Sequence, residues 1–174
     1  MRLRLGDKSI ERDAARLRAL LGPPSAGGAA TTIFFVEANT FQDATNYYLE
    51  GAGVALPNGS TKDGGGEFMI PDYFTGNSIL VEAIAEPGSS GNSGKVYGDL
   101  ESSYAAIGDA ITLDGVFIQS DPLVSNTHQI IASYTFTPTV ALDIHKFVYS
   151  RLGGHANDTF NQTIYLVGFR ITLL

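Results

Sequence analysis

At 174 residues the chain is long enough to bury a core of its own, and 44% hydrophobic residues set it apart from a disordered segment. It has no cysteine, which excludes disulfides, thiolate metal sites and a cysteine nucleophile. The net charge of −7 argues against nucleic acid or an anionic membrane as partner, and no apolar run is long enough to span a bilayer as a helix.

The charge is unevenly spread. The first 22 residues carry six basic and three acidic side chains, whereas the remainder carries five basic and fifteen acidic. Those charges interrupt the N-terminal segment throughout, so it does not read as a secretory signal. The spacing predicts a helix over 7–21, with Asp7 or Ser9 as N-cap and Ile10, Ala14, Leu17 and Leu21 on one face. Gly22-Pro23-Pro24 stops it, and residues 22–30 form a Gly/Pro linker. A single helix of this length is marginal in water, so its apolar face needs a partner. Residues 1–30 are therefore expected to be an arm that reaches a neighbour, with Arg2, Arg4, Ile10, Arg12, Leu17 and Leu21 as its contacts.

From Thr31 the pattern changes to strands. Thr31–Glu37 is rich in β-formers, and a second strand is expected within 46–55. Residues 57–66 are Gly-rich and polar and predict a long loop, followed by a short strand at 67–70. Residues 78–86 alternate, with Glu82 and Glu86 on one face and Val81, Ala83 and Ala85 on the other. Residues 87–94 predict a second flexible loop, 95–100 a strand, and 102–110 an ambiguous stretch with a possible helical turn. Strands follow at 111–119 and at 129–136, the latter with Ile130, Ala132, Tyr134 and Phe136 on one side. The last two are 144–152 and 163–173, with Tyr165, Val167, Phe169 and Ile171 sharing a face in the final one. Eight or nine strands with Gly, Pro, Asn and Asp between them predict an all-β fold, a jelly-roll-like antiparallel β-sandwich over 31–174 behind a short N-terminal α-helical arm.

Catalytic patterns are thin. His128, His145 and His155 are scattered, and no nucleophile elbow is present. Asp143 and His145 share strand parity and could point the same way as metal ligands, but a surface pair at the start of a strand is the favoured reading. His155 lies in a Gly-rich turn and is expected to face solvent. Glu82 and Glu86 are expected to keep an outer sheet face wet. The glycine-rich stretches lack the ending of a phosphate loop. No catalytic residue, metal or cofactor is expected, and the chain is not expected to be an enzyme. Tyr47, Tyr48, Tyr73, Phe74, Tyr97 and Tyr104 could stack on sugars. Core or subunit contacts are the favoured reading for them, with Tyr73 and Phe74 the best candidates for glycan contact. Arg151 and Asp158 could pair across the turn that joins the last two strands and pin it in one geometry.

Glu67-Phe-Met-Ile-Pro-Asp-Tyr-Phe-Thr-Gly76, Ser78-Ile-Leu-Val-Glu-Ala83, Tyr149-Ser-Arg-Leu-Gly-Gly-His-Ala-Asn-Asp-Thr-Phe160 and Ile164-Tyr-Leu-Val-Gly-Phe-Arg-Ile171 resemble segments of a loose group of tailed-phage virion proteins. The resemblance covers about residues 31–174 and implies a jelly-roll-like virion component, often a homotrimer, assembled in the host cytoplasm. The first expectation is a capsid cement or decoration protein that stabilises the head shell, its arm docking on the major capsid protein or another virion protein. The alternative is a tail-fibre or receptor-binding module whose loops at 57–66 and 87–94 bind cell-surface glycan. A cellular enzyme of cupin or carbohydrate-active type ranks last.

Overall fold

The computed structural model describes residues 32–38, 53–71, 74, 78–88, 93–106, 108–124, 127–137 and 144–174. All of these belong to one unit, Thr31–Leu174. The expected helix and linker of residues 1–30, with the contacts assigned to Arg2, Arg4, Ile10, Arg12, Leu17 and Leu21, lie outside the described residues.

Nine strands make up the described structure: β1 (Thr32–Glu37), β2 (Val54–Leu56), β3 (Thr61–Met69), β4 (Ile79–Pro87), β5 (Tyr97–Ala105), β6 (Thr112–Gln119), β7 (Gln129–Phe136), β8 (Ile144–Leu152) and β9 (Ile164–Leu173). They form two antiparallel sheets. One runs β1-β9-β4-β7, with β2 also paired to β9, and the other runs β3-β8-β5-β6. The pairs β2–β9, β3–β8, β4–β7 and β5–β6 nest inside one another, as in a long hairpin rolled over on itself. The pairs β4–β9 and β5–β8 then close each sheet. Nested pairing of this kind is the wrapping of a jelly roll.

The core lies between the sheets. Alternation puts Ile79, Val81, Ala83 and Ala85 of β4 inside, facing Leu100 of β5 and Phe147 and Tyr149 of β8 across the interior. Phe136, Phe160, Ile164, Leu166, Phe169 and Ile171 belong to it as well, all at zero exposure.

Residues 61–66, expected in a loop, are strand. β3 pairs with β8 along its whole length, from Thr61 opposite Leu152 to Met69 opposite Ile144. Its glycines are buried because neighbours fill the space in front of them. A Cβ on Gly64 would lie 2.9 Å from Leu166, and one on Gly66 would lie 2.8 Å from both Phe147 and Val36. Polar, Gly-rich composition normally signals a turn. Here the apolar volume that defines a strand's inner face comes from other strands.

Two bulges overturn expected faces. Ile84 pairs with Gly168 and Ala85 with Leu166, leaving Val167 as the extra residue in β9. Ile164 and Leu166 therefore point inward before the shift, and Phe169, Ile171 and Leu173 after it. Tyr165 and Val167 do not share the inner face with Phe169. A second shift, between Ala83 and Ile84 against β7, turns Ile130 out to 43% exposure and buries Ile131 instead. Residues 102–105, read as ambiguous, continue β5.

Candidate functional site

Arg151 and Asp158 form the most fully satisfied polar centre in the described structure. Both side chains are 0% exposed. Arg151 Nε donates to Asp158 Oδ2 at 2.8 Å and Nη2 to Oδ1 at 2.8 Å, the two-pronged geometry of a guanidinium–carboxylate fork. Its Nη1 donates to Leu56 O at 2.9 Å and Gln162 O at 2.6 Å, and Nη2 also donates to Phe160 O. The guanidinium carbon sits 5.8 Å from the centroid of the Phe160 ring. Asp158 Oδ2 also accepts from Tyr97 N at 3.3 Å. One ion pair thus ties β2, β5, β8 and the segment leading to β9 together.

His145 is not a surface residue. It is fully buried on the inner face of β8, with the rings of Tyr104, Phe136 and Phe147 edge-on at 6.0, 5.6 and 5.7 Å. Its Nε2 shares a hydrogen bond with Ser102 Oγ, and its Nδ1 has no partner among the described residues. Burial lowers its pKa to about 4, so the ring is neutral at pH 7. Walled in this way, it does not face solvent. Asp143, considered with it, lies outside the described residues. Among the described residues no three His, Cys, Asp or Glu side chains cluster as metal ligands would.

The outward face of β3-β8-β5-β6 carries a different arrangement. Parity on β5 and β6 sends Tyr97, Asp99, Glu101 and Ser103 outward opposite Gln119, Phe117, Gly115 and Leu113. At one end the Tyr97 ring lies parallel to Phe117, with centroids 6.2 Å apart and planes 14° apart. On Tyr97 the ring of His155 also stacks, at 4.4 Å. Phe117 is 61% exposed. His155 reaches this position because the Arg151–Asp158 pair holds its loop, and Gln119 Nε2 donates to Asn157 O at 2.5 Å.

Beyond the rings the face dips. Gly115 has no side chain, and a Cβ there would touch Glu101 at 3.3 Å and Asp99 Oδ1 at 3.5 Å. A shallow cavity of about 340 Å³ opens over it, lined by Glu101, Ser103, Leu113, Asp114, Lys146 and Val148. A second, of about 190 Å³, shares Ser103 and Lys146 and extends toward Ala105 and Ile111. Together the two cavities form a trough that follows β5 from Glu101 to Ala105, four strand steps or about 13 Å. Its walls are acidic. Burial, a hydrogen bond with Asp99 and the charges of Asp99 and Asp63 all push the Glu101 carboxyl above its ordinary value. Lys146 is paired with Glu67 at 2.8 Å.

The residues expected to contact glycan lie elsewhere. Phe74 packs against the buried core, the other reading the sequence allowed, and Tyr73 lies outside the described residues. Tyr104 is core. Tyr97, read as core or interface, belongs to the ring row. Phe117 escaped notice because 112–119 carries apolar side chains on both parities, so neither face stands out in the sequence.

Fold and face together define a β-sandwich with one ringed, acidic, troughed outer surface. No family model matches the chain and no curated protein matches it. Among solved structures it is similar to the xylan-binding module CBM15, at 16% identity and a TM-score of 0.39, over 84% of this chain and 97% of that one. It is also similar to the enzymatically active domain of tailspike protein 4 of bacteriophage CBA120, at 10% identity and a TM-score of 0.36, over 82% of this chain. The match spans 19% of that tailspike chain. Both likenesses are too distant to carry a function to this chain.

Proposed function

We propose that the chain is a non-catalytic glycan-binding module, the alternative role expected from its sequence, and that its ligand lies along the outer face of β3-β8-β5-β6. The observation that supports this reading is the row of Phe117, Tyr97 and His155 on the same face as an open trough lined by the carboxylates of Glu101 and Asp114. Flat rings take the C–H faces of sugars, and carboxylates accept hydrogen bonds from their hydroxyls. An open trough admits a chain at any point along its length. The loops at 57–66 and 87–94, given the ligand in the sequence-based version of this role, are replaced here by strand faces.

Within a virion such a module belongs with the parts that meet the cell surface, and the virion setting rests on the sequence resemblance. The outer face of the other sheet exposes Ile33, Phe35 and Ile130, which a homotrimer could use. The cement role rests on the N-terminal arm and on a capsid partner.

The test is binding to immobilised polysaccharides and a glycan array. Phe117→Ala should abolish retention and leave the melting temperature within about 2 °C, because an exposed side chain adds little to stability. Retention that survives Phe117→Ala and Tyr97→Ala together would remove the site.

A further inference from the structure

We propose that this face takes uncharged, hydroxyl-rich glycan chains and turns away chains that carry carboxylates or sulfates. The inference rests on the glycan-binding reading and names the ligand class for the same site.

Three carboxylates project outward on this sheet, Asp99 and Glu101 from β5 and Asp63 from β3 on the far side of β8, and Asp114 lines the cavity with Glu101. Among the described residues of these four strands, Lys146 is the outward-facing cation, and Glu67 already holds it at 2.8 Å. A uronate or sulfate entering the trough would meet uncompensated negative charge in partly desolvated surroundings, where repulsion is several times stronger than in open water. The hydroxyls of a neutral sugar meet no such cost. They donate to carboxylate oxygens in charge-assisted hydrogen bonds, and Asp99 Oδ1, buried beside Gly115, has no partner among the described residues.

Tyr97, Phe117 and His155 beside the cluster offer flat ring contact, which suits the C–H faces of a neutral sugar. A hydroxyl-rich chain thus finds acceptors and ring contact on one face.

Affinity electrophoresis of the full chain at pH 7 tests the inference, in gels containing mannan, mixed-linkage β-glucan, chitosan or polygalacturonate. At least one of the two neutral polysaccharides should retard the protein, and polygalacturonate should bind at least about tenfold more weakly. Because the discrimination is electrostatic, it should shrink in about 0.5 M NaCl, where the screening length falls to a few ångströms. It should shrink at low salt as well in the double variant Asp99→Asn, Glu101→Gln. Polygalacturonate binding as well as the neutral chains, chitosan binding best, or a gap indifferent to salt would each overturn the charge selection. If Phe117→Ala abolishes that binding, the glycan-binding reading itself survives. Retardation by none of the four polysaccharides would remove both.

Discussion

Arg151 is the residue on which the most described structure converges. Removing it strands the Asp158 carboxylate at zero exposure and leaves the carbonyls of Leu56, Phe160 and Gln162 without their donor. Breaking a buried pair on one side typically costs about 3–5 kcal/mol, so Arg151→Ala should lower the urea midpoint sharply. Arg151→Lys should recover only part of the loss, because an ammonium cannot reproduce the fork. An unchanged midpoint in the alanine variant would show that the pair is dispensable. His145 gives a separate, pH-dependent signal. Its folded pKa, about 4, lies below the unfolded value of 6.5, so the unfolded chain binds the extra proton first. Its contribution is present in full above pH 6.5 and is lost as the pH falls through this window toward 4. That amounts to roughly 3 kcal/mol for one ring with this shift. His145→Gln should therefore flatten the stability profile between pH 7 and 4, measured by chemical denaturation at each pH. A profile parallel to that of the unchanged protein would mean that other groups carry the acid sensitivity.

At the scale of the strand, glycine has opposite meanings on the two faces of one sheet. On the inner face of β3, Gly66→Ala drives a methyl to 2.8 Å from Phe147 and Val36, and overpacking of this kind costs about 1–3 kcal/mol. On the outer face of β6, Gly115→Ala meets Glu101 at 3.3 Å with solvent beyond, and should change stability by no more than about 0.5 kcal/mol. It should still weaken polysaccharide retention, because the methyl half-covers the two carboxylates. Paired melting and retention measurements on the two variants separate the roles, and equal losses of stability would merge them. This contrast also marks where the sequence is readable. Strands such as β4 announce themselves, because each inward residue is apolar and each outward one polar or partly exposed. β3 does not, because its inner face is defined by Leu166, Val54, Phe147 and Val36 from elsewhere in the chain. The bulges at Val167 and Ile131 are hidden for a related reason. An alternating apolar run looks the same whether or not a residue is looped out, and only the partner strand fixes the register. The Arg151–Asp158 pair was legible because opposite charges flank a short turn. The ring row was not, since Tyr97, Phe117 and His155 are brought together by strand pairing and by that same buried pair.

In the molecule as a whole, the nested hairpin leaves one end of the chain decisive. Thr32 pairs with Leu173, so the first and last described strands lie side by side, and the described wrapping starts at residue 32. The binding face belongs to the other sheet, on strands that β1 does not enter. Deletion of residues 1–30 therefore removes no described strand and no residue of the trough. The shortened chain should keep the melting temperature to within about 3 °C and retain neutral polysaccharide as the full chain does. The cement role makes the contrary demand. It assigns Arg2, Arg4, Ile10, Arg12, Leu17 and Leu21 to the capsid contact, so particles assembled with the shortened chain should lose it from the shell or become fragile. A folded, shortened chain that still binds polysaccharide, with undiminished occupancy on particles, would leave the arm no part in docking. A folded chain that binds no polysaccharide and vanishes from particles would restore the capsid role, because the two functions draw on different parts of the sequence.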